Sequence, residues 1–507
     1  MPLSLPPVSR DRISGLTDDI LGDVLSFLPT KEAGRAAALS RRWRHVFCKV
    51  NTVSFEERVG VRASDWTTFY YEAREKKSCS SMLLDDVWSA LLCRRRCAGA
   101  HELLRGLRVV FDRCHMWDRC HVDQWLSYVL RYSSQELHLD LRFRLGRICK
   151  HDNDGDHYDG LRRRDGWYEL PAKLFSCTAI RSLSLGYCGL NLPAGIVLPF
   201  LETLRLTGVK LGNSESSIER LIASCPRLVD LTLEASNLVR LSVVDRRLRL
   251  LALRCCHDMR TVDIDASELR SLDYRGTVPT ESVLSLHGIP EVIQSCTVDF
   301  CKVLPEEAEH HRIKMFLEKI SDAKRLHLHH QCLPGRSFEG FPTFHNLTRL
   351  ALQGPLQSPD IIRGILERTP NLEILSFFIE LSVVLEGLTV PEESSFSVPC
   401  LRNRVREINM VHYEGDTLQR TMAWLLLRNA LVLERMCVVL SKGPFELQDA
   451  LTRETESWMV KQHHQIAGGS TGKAVGEEKG RDEANQLSDR DVGASPVGGK
   501  CKKCYSL

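Results

Sequence analysis

Nothing in these 507 residues is long and apolar enough to cross a bilayer as a helix, and the opening MPLSLPPVSRDR lacks the basic start and apolar core of a secretory leader. Both absences lead us to expect an intracellular chain, nuclear and/or cytoplasmic, with no membrane span. Charge of one sign is just as scarce. Sixty-eight basic and 65 acidic side chains leave a net +3, far from the concentrated basic face of a dedicated nucleic-acid binder, so no nucleic acid is expected as partner. Cysteine is present but without a framework: 19 residues, an odd number at irregular spacing, fit idle or buried thiols in a reducing compartment better than disulfides. The remaining composition, 43% apolar and 26% charged, is that of an ordinary folded chain with room for several domains.

Catalytic and ligand-binding signatures are lacking too. The run CHMWDRCH (114–121) crowds two Cys-His pairs together, whereas zinc ligands come as spaced pairs across a loop. HDNDGDHYDG (151–160) has the acidity of a calcium loop, yet His157 stands where the turn needs glycine and Arg163 where the closing glutamate belongs. GGSTGKA (468–474) is one residue short before its Gly-Lys, ends in Ala474 and follows no strand, so it is no phosphate cradle. His310, His311, His327, His329 and His330 are assigned to solvated faces. At the C-terminus, Cys504-Tyr505-Ser506-Leu507 has the frame of a prenylation box with Lys500, Lys502 and Lys503 upstream, but its inner positions are not aliphatic. We therefore expect no catalytic residue, no metal and no cofactor.

What the chain does have is concentrated first in RISGLTDDILGDVLSFLPTKEAGRAAALSRRWRHV, residues 12–46. Leu16, Ile20, Val24 and Leu28 recur every four residues with Leu21 and Leu25 beside them, which predicts a first helix with one apolar side. Thr17 is placed to cap it, and Asp18 and Asp19 favour the positive end of its dipole. Pro29 ends it, Thr30 is placed to cap a second helix through Ala37, and Ser40 a third that carries Trp43 among Arg41, Arg42 and Arg44. Some 35 residues cannot offset their ordering entropy alone, so this piece must close its apolar surface against something else. The stretch resembles an F-box through Leu16, Asp18, Asp19, Ile20, Leu21, Leu28, Pro29, Leu39, Ser40, Arg42, Trp43 and Arg44. Thr17 departs from the pattern's proline. The resemblance implies docking on a Skp-family adaptor, with Leu16, Ile20, Leu21, Leu28, Pro29, Leu39 and Trp43 as the adaptor-binding residues, some of which must instead knit the helices together.

A repeat of the form apolar-x-x-apolar-x-apolar then takes over. After LRGLRV at Leu104, its marks fall at Leu183, Leu204, Leu231, Leu251, Leu272, Leu326, Leu350, Leu375 and Ile408, with a weaker one at Val298 in the long gap. The steps, mostly 20 to 28 residues, match leucine-rich repeats, in which each unit supplies one strand and a return segment. SSIERLIASCPRLVDLTLE and DIIRGILERTPNLEILSFF align residue for residue as helix, proline, strand, so those return paths should be helical. Extra marks at Leu241 and Val262 halve the period between Leu231 and Leu272, where the return should be extended. VREINMVHYEGDTLQRTMAWLLLRNALVLERMCVVL (405–440) reads as strand, Gly-Asp turn, helix and strand, and resembles the FBD region of plant F-box proteins.

The expected architecture is α/β: an F-box at 8–50, a helical linker at 51–100, an irregular leucine-rich-repeat solenoid at 101–400, an FBD-like cap at 401–460 and a disordered tail at 461–507. The resemblance implies a non-catalytic substrate receptor of an SCF-type ubiquitin ligase. The F-box would dock on the adaptor and through it on a cullin, while the repeats hold an unknown protein substrate. The alternative is a repeat-based interaction scaffold acting outside any ligase.

Overall fold

The computed structural model describes residues 13–467 with breaks, the longest at 58–72, 143–166, 330–340 and 381–397, together with 503–506. The chain divides into two compact units, one running to Val243 and taking in Cys256–Met259, the other Val244–Cys255 and everything from Arg260 on.

The first unit opens with α1 (Asp18–Ser26), α2 (Thr30–Ala37) and α3 (Arg41–Cys48). Leu21, Leu25, Ala33, Val46 and Val50 form their common core, and Ala36, Trp43 and Phe47 pack against it. Gly22 permits the close approach of α1 to the end of α3, because a Cβ there would lie 2.9 Å from the Lys49 carbonyl oxygen. Ser40 caps α3 as expected, its hydroxyl accepting from the Trp43 N–H at 3.2 Å. The other two caps differ. Thr17 occupies the cap position of α1 with extended backbone, but its hydroxyl makes no cap bond. Pro29 precedes α2, and Thr30 is already helical; its hydroxyl accepts from the Ser54 N–H at 2.7 Å instead.

That bond belongs to a set that fastens the helices to the strand after them. The Ser26 hydroxyl accepts from the Asn51 N–H at 3.0 Å, the Asn51 amide donates to Asp23 at 2.6 Å, and Lys31 pairs with Asp86 at 2.8 Å. Strand β1 (Thr52–Glu56) pairs in parallel with β2 (Gly106–Val110), and α4 (Ala73–Cys97) lies between them in sequence. Residues 51–100, expected as a linker, therefore hold the first strand of the sheet and a helix on its return path. TVSFE hides this role because Val53 stands where later strands carry leucine.

The sheet continues through β3 (Glu136–Asp140), preceded by α5 (Arg119–Arg131), then β4 (Ser182–Gly186) and the strands Thr203–Thr207 and Asp230–Glu234, all parallel. Val53, Leu107, Leu137, Leu183, Leu204 and Leu231 stand in one register line and are buried. Parallel neighbours require a crossover, and the chain supplies it either as helix or as extended segment. In the helix Ser217–Ala223, Ile218, Leu221 and Ile222 are buried, as are Ile362, Ile365 and Leu366 in Pro359–Glu367, so the aligned repeats use the same positions. Between Leu231 and Leu272 the return is extended, in strands Arg240–Val244 and Thr261–Asp265.

In the second unit eight parallel strands, from Leu250–Arg254 to Arg435–Leu440, line up Leu251, Leu272, Cys296, Leu326, Leu350, Leu375, Ile408 and Met436. Cys296, not Val298, holds the frame in the long gap, with Val298 two residues on and also buried. The 405–440 stretch has the expected order. Glu407–Tyr413 leads into Gly415, at a φ of +73°, and Asp416 caps the helix Thr417–Asn429 by accepting from the Gln419 N–H at 2.7 Å. Because Glu407–Tyr413 pairs in parallel with Ile374–Ile379, this segment is the sheet's continuation.

The tail departs from expectation. A helix runs from Phe445 to Ala467, and Lys503–Ser506 pairs antiparallel with Arg435–Leu440. Strand pairing is a backbone matter, so a segment poor in large apolar residues can still dock on an open sheet edge. His329 also departs: it is buried, its Nε2 lying 3.4 Å from Glu380 and its Nδ1 3.9 Å from Asp299. His121 accepts a 3.1 Å bond from the Trp88 indole. Residues 151–160 and 468–474, and His330, lie outside the described residues. No described helix is long and apolar enough to cross a membrane.

Candidate functional site

Helices α1 to α3 close a core of their own and still leave much of their apolar surface outside it. Of the seven residues singled out for partner docking, Leu16, Ile20, Leu28, Pro29 and Leu39 are exposed, Leu39 at 79% and Ile20 at 47%. Leu21, at 1%, belongs to the core, and Trp43 is half-buried against it. Two apolar stripes run side by side along α1, and spacing alone does not tell which faces inward; the contact with α3 settles it for Leu21 and Leu25. Phe27, at 89% exposure, and Val24 extend the outer stripe and were not singled out. Val24 was legible from its four-residue step. Phe27 fell outside the strict four-residue step, although it stands three residues after Val24 and seven after Ile20.

Thr17 costs this surface the proline that would stiffen the loop before α1, and Arg42 compensates. Its guanidinium pairs with Asp18 at 2.9 Å and donates to the Ser14 carbonyl at 2.6 Å and to the Leu16 carbonyl. Lys49 pairs with Asp19 at 2.6 Å. Both first-turn carboxylates of α1 thus tie to the third helix. Arg42→Ala is expected to free the 13–17 loop, speeding amide exchange there, while the melting temperature moves little because the pairs are solvent-exposed. Hydrogen exchange beside thermal melting checks this.

The second surface is the open face of the first unit's sheet. Alternation along each strand turns every second residue outward, and register aligns those residues in rows. The central row is Ser54, Arg108, His138, Ser184, Arg205 and Thr232. On one side runs Thr52, Gly106, Glu136, Ser182, Thr203 and Asp230; on the other, Glu56, Val110, Asp140, Gly186, Thr207 and Glu234. Cationic groups keep to the middle and carboxylates to the margins. A recess of about 510 Å³ lies over the strands, with Phe27, Leu28 and Pro29 as one wall.

Arg108 comes within 3.2 Å of the His138 Nε2. A guanidinium can only donate, so the imidazole nitrogen accepts, and His138 is neutral with its proton on Nδ1. Burial first, then Arg108 and Arg205, push its pKa down to about 3. Below about pH 6.5 the unfolded chain therefore takes up a proton that the folded chain refuses, and stability falls as pH drops toward 3. His138→Gln should flatten that slope between about pH 6.5 and 4.5, read as the thermal midpoint against pH.

Comparisons with known proteins match parts of both segments of the chain. A model described as the F-box domain matches residues 13–54, and one described as the leucine-rich repeats of FBD-associated F-box protein At5g56370 matches residues 159–287. Three Arabidopsis thaliana proteins are similar over most of their length. F-box/LRR-repeat protein At4g14103 is 25% identical, over 73% of this chain and 92% of its own. FBD-associated F-box protein At4g10400 is 25% identical, over 83% and 90%. F-box/FBD/LRR-repeat protein At2g26030 is 24% identical, over 87% and 94%.

Proposed function

This chain belongs to the plant F-box proteins with FBD-associated leucine-rich repeats, and on that premise we propose that it is the substrate-recognition subunit of an SCF-type ubiquitin ligase. The observation that carries the reading is the apolar surface left on α1 to α3, with Ile20, Leu28 and Leu39 exposed over a core already complete beneath them. F-box domains bind Skp-family adaptors, and an unpaired stripe of this kind is what such an adaptor would cover. The adaptor brings a cullin, and the repeats hold the target. This subunit performs no chemistry itself: ubiquitin transfer belongs to the RING subunit and its conjugating partner, and the receptor raises the effective concentration of target lysines near the thioester. It works in the nucleus, the cytoplasm or both.

The test is recovery of partners from plant cells on the full chain. Adaptor and cullin together support the receptor. Stable capture of other proteins without a cullin would replace it with a repeat-based scaffold acting outside a ligase.

A further inference from the structure

We propose that the open face of the first unit's sheet receives an extended acidic segment of the target protein, its carboxylates seated on Arg108 and Arg205 with His138 between them. The proposal rests on the substrate-receptor reading and names the chemistry of its substrate.

The central row carries two guanidinium groups three strands apart, on β2 and on Thr203–Thr207. At about 4.8 Å per strand that separation is about 14 Å, which an extended peptide covers in four residues. Residues four apart in an extended chain also point the same way, so one segment can present both carboxylates to both arginines. Arg205 is exposed and makes no hydrogen bond or ion pair among the described residues. Arg108 gives one donor to His138 and is ion-paired with Glu56 at 3.6 Å, and the five N–H groups of its guanidinium leave donors for a further acceptor. His138 Nδ1 keeps its proton and can donate to a peptide carbonyl passing between the arginines, and Ser184 beside it offers a hydroxyl.

The margins decide the kind of occupant. Glu136 and Asp140 flank His138 along β3, and Asp230 and Glu234 flank Thr232, each two residues from the row. They would repel a continuous phosphate backbone, for which two arginines are too few in any case, whereas an isolated carboxylate can sit over Arg205, and one over Arg108 shares that guanidinium with Glu56. Phe27, Leu28 and Pro29 wall the recess near β1. From Ser54 to Arg205 the accessible part of the row spans four strand steps, about 19 Å, or about six extended residues, and Thr232 at its end is buried.

The experiment is fluorescence anisotropy on the full chain with its Skp-family adaptor present. The probe is a fluorescein-labelled peptide, Gly-Ser-Glu-Ala-Ser-Ala-Glu-Ser-Gly, compared with its twin carrying Gln for both Glu. The Glu peptide should bind with a Kd below about 1 mM, and both the Gln twin and an Arg205→Glu variant should weaken binding about tenfold or more. If reversal disturbs the sheet by circular dichroism, Arg205→Gln replaces it and should weaken binding in the same direction. No binding of the Glu peptide up to about 1 mM, equal binding of the twin, indifference to both Arg205 variants, or preferential binding of a single-stranded RNA oligonucleotide would each overturn the proposal. Adaptor recovery is read in parallel. Recovery without Glu-selective binding removes this proposal and leaves the receptor standing; Glu-selective binding by a chain that recovers no adaptor removes the receptor and leaves an acidic-segment binder.

Discussion

Replacing Ile20 and Leu39 together by aspartate should eliminate recovery of the Skp-family adaptor while leaving the melting temperature within a degree or two of the parent. Both side chains are exposed, at 47% and 79%, so neither substitution removes anything from the core. Each large apolar group buried at an interface contributes about 1.5–3 kcal/mol, so losing two costs at least a hundredfold in affinity, before the penalty for burying two carboxylates. Trp43→Ala is a poorer probe, although Trp43 is part of the family pattern. The ring packs against Leu21, Leu25, Ala33, Val46 and Val50, so its removal opens the core and weakens binding by loosening the fold. Leu21→Ala marks the opposite extreme, with an expected cost of about 2–5 kcal/mol and a lower melting temperature, because the residue is 1% exposed. If the Ile20/Leu39 double variant still recovered adaptor and cullin, the docking surface described here would be wrong.

Cutting away residues 1–50 should loosen the sheet as well as abolish adaptor binding. Such a truncation looks harmless if a linker separates the helices from the repeats, but β1 begins at Thr52 and draws support from all that is removed. The Ser26 hydroxyl, the Asp23 carboxylate and the Thr30 hydroxyl hold Asn51 and Ser54, and Lys31 pairs with Asp86 on α4. At about 1 kcal/mol for each net hydrogen bond and less for the ion pair, the loss is about 3–4 kcal/mol, concentrated on β1 and α4. Hydrogen exchange should show faster opening across 52–56 and 82–94, with the strands after β3 unaffected. Exchange unchanged at β1 would show that the sheet starts independently of the three helices. The aspartate pair is thus the better way to disconnect target binding from the ligase.

Much of this architecture was legible because leucine recurs with a fixed offset. The marks at Leu183, Leu204, Leu231, Leu350, Leu375 and Ile408 are each the second residue of a strand, in one register line per unit, and the helices at 217–223 and 359–367 bury the aligned residues. Where neither leucine nor isoleucine held the place, the frame was lost. Val53 and Met436 went unmarked, and Cys296 yielded its place to Val298, because any side chain that fills the same volume serves the packing. Leu137 was missed for a different reason: Ser134 holds the place three residues before it where the pattern has an apolar residue. The docking residues were legible as a set but not in their roles. Composition cannot separate Leu21 from Ile20; only the closeness of α1 to α3, made by a glycine, does so. The basic row was invisible for a stronger reason, since Arg108, His138 and Arg205 lie 30 and 67 residues apart and become neighbours only through strand register.

Only Asn51 stands between the last core residue of the three helices, Val50, and the start of β1. With its amide, its N–H and its carbonyl all bonded, that single residue is a weld. A cargo seated on the neighbouring strands would travel with the docking helices as one body, unable to swing on a tether in search of the enzyme. Its bearing toward the conjugating machinery would be set by where it sits, and the lysines within range would be chosen by distance and angle as a fixed jig chooses where a drill lands. Lengthening this junction with a few glycines would broaden the set of modified lysines while leaving both attachments intact.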